Sequence, residues 1–423
     1  MTALTRITVL GSGREVGRAA ILVENGGRGI LLDYGVTFNE NDIPIFPGHV
    51  RPRDLDGVVL THSHLDHIGA APSLYISMGP RILATRVTLE VSRILLYDMI
   101  KLNGIHLPYD ESSVDEMVSR AEQTDYYRVY EVGDFTLTLL PSGHIPGSAS
   151  VLVEDPSGTR ILYTSDINNI ETNLTRPLDY DGVKPHVLVI ESTYAATNHP
   201  PRRDTEERFY NSIREVVEEG GTVLVPAFSV SRGQEIACIL ASRGFGHPVW
   251  IDGMIRQVAE IYMANRGEIN KPEILEKAFQ EFNIVRGWQD RRRAYKEPGV
   301  ILASAGMLKG GPSLYYLKKM ATNPSNAIFM VSFQAPGTPG REILETGTFG
   351  EPRIPVKARV EWFDFSSHID SGGILGIVKS MKSLERVILV HGVPEAQEIL
   401  ASNIREETGI NALYPETGSS IEV

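Results

Sequence analysis

The segment THSHLDHIGA (61–70) places His62, His64, Asp66 and His67 within six consecutive positions, in a chain that has only 11 histidines. Neutral imidazole nitrogen and carboxylate oxygen are the donors that hold zinc-type divalent metals. In an extended segment residues i and i+2 point the same way, so His62 and His64 can grip one ion. Asp66 and His67, at the turn that follows, can reach a second. Cys238 is the sole cysteine, so intrachain disulfides are excluded and the ligands must be histidine and carboxylate. A reducing cytoplasm is the compartment that fits such cysteine usage.

A cluster this tight needs partners from elsewhere in the chain, and the apolar runs show where they come from. Segments rich in Val, Ile and Leu predict strands at 5–10, 29–35, 57–61, 135–140, 160–165, 186–192, 222–227, 247–252, 299–304, 326–332 and 386–391. Amphipathic stretches at 204–219, 232–242, 254–266 and 394–408 predict helices, and the alternation predicts an α/β fold with covered sheets. Asp33, His62, His144, Asp166, Glu191 and His391 all stand at the carboxyl ends of such strands, where α/β sheets build their sites. A two-metal centre follows: His62, His64 and His144 for one ion, Asp66, His67 and His391 for the other, and Asp166 bridging. Asp33 and Glu191 are placed to hold the ligands from behind. Ions roughly 3.5–4 Å apart activate a bridging water and clamp the oxygens of an in-line displacement.

The region 197–355 looks like a separate unit. It opens on the polar, proline-containing NHPPRRDTEER, carries its own strand and helix alternation, and ends near EPRIPVKA, with His391 beyond it. The expected organisation is therefore one domain made of 1–196 and 356–423, interrupted by another at 197–355.

HxHxDH followed by a distant His and Asp resembles the metallo-β-lactamase superfamily. GSGREVGR (11–18), IESTYA around Glu191, PAFSVSRGQE (226–235), SAGMLKGGPS (304–313), GTPGR (337–341), FSSHID around His368 and LVHGVPE around His391 resemble its β-CASP nuclease branch. The resemblance implies an αββα sandwich with an inserted β-CASP α/β domain, two Zn2+ ions, and His368 as a general acid whose imidazole Glu191 holds. It is similar to archaeal RNase J and cleavage and polyadenylation factor-like proteins, in a short form without KH domains. The implied activity is a zinc-dependent ribonuclease, a 5′–3′ exonuclease, an endonuclease or both, acting on RNA in a processing or decay complex. Small-molecule hydrolases of the superfamily are disfavoured by the long insertion between Asp166 and His391. A DNA-directed β-CASP enzyme and an inactive RNA-binding scaffold are the rival readings. A homodimer is expected by analogy, with the C-terminal NALYPETGSSIEV offering a strand to it.

The glycine-rich segments divide. GSGREVG has GxGxxxG spacing, not the dinucleotide fingerprint, and the chain after it reads as a hairpin. SAGMLKGGPS and SFQAPGTPGR can bring backbone N–H groups against phosphate, which makes Ser332, Gly337, Thr338, Ser366 and Ser367 candidate substrate contacts. The net charge of −12 argues against a generally basic surface but leaves the local field of a cleft open. Arg202-Arg203, Arg291 to Arg293 and Lys318-Lys319 are local basic clusters, each read alone as a solvated face. No stretch approaches the ~18 uninterrupted apolar residues of a membrane span.

Overall fold

Strands such as Arg6–Gly11 alternate buried with outward residues, so each has one face that must be covered by something apolar. The computed structural model, which describes residues 4–77 and 79–423, shows how this is met. The chain divides into two units: Met1–Ile170, Pro177–Asn198 and Ser367–Val423 form the first, Glu171–Arg176 and His199–Ser366 the second.

In the first unit two seven-stranded sheets lie face to face. One runs, edge to edge, Ser420–Glu422, Arg6–Gly11, Ala20–Asn25, Arg28–Leu32, Leu55–Val59, Arg81–Ala84 and Ala121–Gln123; the other runs Ala412–Leu413, Arg386–Val390, Val187–Glu191, Arg160–Tyr163, Ala149–Glu154, Phe135–Pro141 and Val129–Val132. Ile7, Val9 and Ile30 of one meet Leu137, Val151 and Ile388 of the other in a shared core. On the outer face of the first sheet, Val58 and Ile82 pack against Leu96 and Met99 of helix Arg86–Asn103 and Val114 of helix Glu111–Ser119. On the outer face of the second, Leu188 and Leu389 pack against helices Ser371–Ser380 and Pro394–Thr408 through Ile374, Leu400 and Ile404. This is an αββα sandwich. Segment 20–32 forms the expected antiparallel hairpin.

The second unit is built on a six-stranded sheet in the order Asn283–Ile284, Val249–Asp252, Gly299–Ala303, Thr222–Pro226, Ala327–Met330, Arg359–Trp362, with every pair parallel. Its central strands are buried on both faces, as a parallel sheet between helices requires.

The bounds of the second unit differ from the expected 197–355: it takes in Glu171–Arg176 and resumes at His199. Strand Arg359–Trp362 pairs with Ala327–Met330, so the second unit runs to Ser366 and not to 355. The C-terminal segment also spends backbone within its own chain: Ser420–Glu422 pairs with Arg6–Thr8, and Ala412–Leu413 with Val387–Ile388. Among the described residues no helix is long and apolar enough to cross a membrane.

Candidate metal centre

Asp33 follows strand Arg28–Leu32, His62 follows Leu55–Val59, His144 follows Phe135–Pro141, and Asp166 follows Arg160–Tyr163. Glu191 is the last residue of its strand, and His391 comes directly after Arg386–Val390. The two sheets thus deliver side chains from one end of the sandwich. Delivery requires unusual backbone: Asp33 (φ 61°), Ser165 (φ 53°) and His391 (φ 53°) all sit in the left-handed region, uncommon for residues with a Cβ and concentrated at functional sites.

The atoms that could hold a metal gather around Asp166 in overlapping groups, one of which is Asp166, Glu191 and His391. His62, His64, His144 and Asp166 bring one donor atom each to within 4.8 Å of one another, as do Asp66, His67 and His391. In the first group His62 Nε2 and His144 Nε2 each approach His64 Nδ1 to 3.2 Å. Asp166 Oδ2 lies 3.5 Å from His62 Nε2 and 3.4 Å from His67 Nε2, so one oxygen faces both groups. In the second group His391 Nε2 is 3.3 Å from Asp66 Oδ2, and His391 Nδ1 is 3.4 Å from Asp166 Oδ1.

The tautomers are set from outside. His144 Nδ1–H donates to the Ser367 carbonyl (2.8 Å), which leaves Nε2 with a free lone pair. His67 Nδ1–H donates to Asp33 Oδ2 (2.8 Å), which turns Nε2 towards Asp166. Asp33 is itself fixed by the Thr61 N–H and hydroxyl (both 2.8 Å) and by the Tyr163 hydroxyl (2.9 Å). Such orienting partners are what metal-ligating histidines ordinarily have.

Protonation follows the same division. Burial, reinforced by neighbouring imidazoles, pushes His62 and His144 well below the usual histidine range and His64 to about 4, so all three are neutral ligands at neutral pH. Burial also opposes a proton on His67, but Asp166 and Asp33 outweigh it and shift His67 upward. Against their own burial, Asp66 and Asp166 are held below the usual carboxylate range, Asp66 by His391 and His67, Asp166 by His67 and His391.

The fit to a cation rests on two orphans. His67 Nε2 and Asp166 Oδ1 are buried without a hydrogen-bond partner, a costly state that a metal ion would relieve. The neutral nitrogens of His62, His64 and His144, the carboxylate oxygens and these two unpaired atoms together suit divalent metal.

His368 stands beside this group. Its Nδ1 is 2.8 Å from Glu191 Oε2, and its side chain is 21% exposed while Glu191 is buried. The other Glu191 oxygen accepts the Ile167 N–H at 2.7 Å. Although burial works against it, Glu191 and then Asp166 raise His368 to about 9, so it carries a proton at neutral pH.

The proposed substrate contacts are distributed differently. Ser332, Gly337, Thr338 and Ser366 belong to the second unit, and Ser367 to the first. Ser332 Oγ is buried with no hydrogen-bond partner, whereas Thr338 caps helix Pro339–Thr346, accepting the Arg341 N–H and donating to the Ala335 carbonyl. Ser367 contributes its carbonyl to His144.

Sequence reasoning passed over Thr61, Tyr163 and Thr193. Hydroxyls carry no motif of their own, yet Thr193 donates to Glu191 Oε2 at 2.6 Å. Its position two residues after Glu191 was the one available signal.

Comparison with known proteins gives three adjoining matches. The metallo-beta-lactamase superfamily matches residues 13–226, the Beta-Casp domain 234–343, and the Zn-dependent metallo-hydrolase RNA specificity domain 353–415. The chain is 46% identical to RNase aCSPSF2 of Saccharolobus solfataricus, over 99% of this chain and 85% of that protein. It is 34% identical to the probable RNase MJ4 of Methanocaldococcus jannaschii (98% and 99% covered) and 34% identical to transcription termination factor FttA of Pyrococcus horikoshii (99% and 71%). A solved protein of unknown function from Enterococcus faecalis V583 shares the fold at 14% identity, with a TM-score of 0.64 over the whole of both chains.

Proposed function

The chain belongs to the β-CASP branch of the metallo-β-lactamase superfamily and is a metal-dependent ribonuclease of that branch; from that premise we propose that it hydrolyses RNA phosphodiesters with two zinc ions and His368 as general acid. The observation that carries this reading is the pairing of a seven-residue ligand set around Asp166 with a protonated, partly exposed histidine beside it. Bound there, the ions would supply Lewis acidity and a water activated at neutral pH.

The chain's own residues do the rest. His62, His64 and His144 would hold one ion, Asp66, His67 and His391 the other, with Asp166 facing both. Asp33 keeps His67 in the tautomer that leaves Nε2 bare, and the Ser367 carbonyl does so for His144. Glu191 binds His368 at Nδ1, so the proton available to a leaving oxygen is the one on Nε2. Burial of Glu191 and exposure of His368 let substrate reach the acid without reaching its anchor.

The expected substrate is RNA within a processing or decay pathway. Matched RNA and DNA oligonucleotides, each with and without chelator, test the assignment. Chelator-sensitive cleavage of RNA supports it; cleavage of DNA alone makes the protein a DNA-directed enzyme, and RNA binding without cleavage by the zinc-loaded chain makes it a scaffold. A circular RNA decides the mode, because only an endonuclease cuts a strand without ends.

A further inference from the structure

Two basic clusters that look like unrelated solvated faces in the sequence are joined in the second unit by an aromatic pair. Trp288 opens helix Trp288–Ala294, and 62% of its surface is exposed. Its ring stands edge-on to Tyr315 of helix Gly311–Met320, with centroids 5.5 Å apart, and the Arg291 guanidinium lies 5.1 Å from the indole. Lys319, one turn beyond Tyr315, places its ammonium 6.0 Å from the tyrosine ring.

An indole this exposed is normally free to move, but here it is braced. Arg291 donates two hydrogen bonds, of 2.7 and 3.0 Å, to buried Asp252, which also accepts the Tyr316 hydroxyl at 2.9 Å. The guanidinium is fixed from below and keeps a flat face for the indole. Of the nearby acids, Asp252 pairs with Arg291 and Glu297 with Arg293 at 3.3 Å, while Asp290 accepts the Arg286 N–H at 2.8 Å. Arg292, Lys318 and Lys319 make no ion pair among the described residues. In a chain of net charge −12, uncompensated cations around held aromatic rings suit a partner that is both polyanionic and π-faced.

We propose that Trp288 and Tyr315, flanked by Arg291, Arg292, Lys318 and Lys319, form a stacking platform for single-stranded nucleic acid on the second unit. The choice of ligand rests on the ribonuclease reading above. The platform itself serves to retain a strand and takes no part in cleaving it.

The test is fluorescence anisotropy with a labelled oligouridylate of about twelve nucleotides, titrated into the full chain carrying His368→Gln, with strand integrity checked on a gel. Trp288→Ala, and separately Lys318→Glu with Lys319→Glu, should each weaken binding about tenfold, while Trp288→Phe retains most of it. The double lysine variant should also flatten the salt dependence, by roughly 0.7 in log–log slope for each phosphate that is no longer neutralised. An oligothymidylate should show the same weakening, because rings and phosphates are common to both. If neither variant changes affinity by more than about twofold, or if the parent binds neither strand, the platform is overturned and the patch faces protein instead. The surface lysines decide the matter should Trp288→Ala fail to fold. Hydrolysis is scored separately, so failure of the platform and failure of the ribonuclease reading remain distinguishable.

Discussion

Glu191 reaches His368 across 177 positions of sequence to close a 2.8 Å contact between Oε2 and Nδ1. The carboxylate is pinned at its other oxygen by the Ile167 N–H, so it sets the ring orientation as well as the charge. A general acid must hold its proton until the leaving oxygen departs. Raised to about 9, chiefly by Glu191 against the opposing effect of burial, His368 stays protonated through neutral pH and loses the proton as pH rises. Cations on Asp166 would withdraw part of that carboxylate's pull. The falling limb of activity should therefore lie between the ordinary histidine value of 6.5 and about 9. Glu191→Gln should move the limb to lower pH and cut turnover by roughly 10²–10⁴-fold. A pH–rate profile whose limb is the same in both proteins would remove Glu191 from this role.

Asp166 faces both ligand groups, so its loss should affect both ions. Asp166→Asn is expected to reduce bound zinc to one ion or fewer per chain by elemental analysis, with little change in circular dichroism. In the parent, chelation should lower the melting temperature, because an ion bound only to the folded state stabilises it by about 4 kcal/mol at a thousand times its Kd. The Asn variant should respond to chelator much less. Equal chelator responses in the two proteins would place the metal elsewhere.

Asp33 touches no ion in the proposed scheme, yet it gathers Thr61, His67 and Tyr163. Asp33→Ala leaves His67 free to rotate and to change tautomer, and strands the Tyr163 hydroxyl in the core. Zinc affinity should fall by roughly 10–100-fold, as losing such an orienting partner typically does. Excess zinc should restore part of the activity. Competition titration with a chromophoric chelator measures this directly, and an unchanged affinity would reduce Asp33 to a packing residue.

How far the sequence could foretell this arrangement depends on what each residue's chemistry advertises. Histidine and aspartate at strand ends are conspicuous because apolar runs seldom end in so many ionisable groups, and so the residues that gather around Asp166 could be named from the chain as candidate ligands. Helices Arg232–Ser242 and Pro394–Thr408 were equally legible, their apolar periodicity starting and stopping where the elements do. Thr338 looked like a phosphate contact and turns out to cap a helix, since Thr before Pro-Gly suits either role. Trp288 and Tyr315 were beyond reach: no local pattern tells a helix that its exposed ring will meet another 27 positions away.

Gly35 shows the same limit and yields the sharpest structural prediction. It looks like an ordinary glycine after DY, but a Cβ there would lie 1.7 Å from the Asp66 carbonyl oxygen and 2.5 Å from the His67 nitrogen. The atoms met are backbone, so no rotamer can relieve the clash. The neighbouring ladder fixes the approach: Tyr34 N–H donates to the His67 carbonyl at 2.8 Å and Val36 N–H to the Leu65 carbonyl at 3.0 Å. Gly35→Ala must therefore displace the turn that carries Asp66 and His67, which hold the same ion in the proposed scheme. A shift of about 1 Å in such a constellation costs on the order of a hundredfold in rate. The variant should lose the ion held by Asp66, His67 and His391 first, with turnover falling at least that far while the second unit's core is untouched. Gly376→Ala is the matched control, because nothing lies within 4 Å of its Cβ position and it sits in a helix, where alanine is favoured by up to about 1 kcal/mol. Zinc content and turnover measured side by side decide the matter: full metal loading in Gly35→Ala would show that the turn is not held by this close approach.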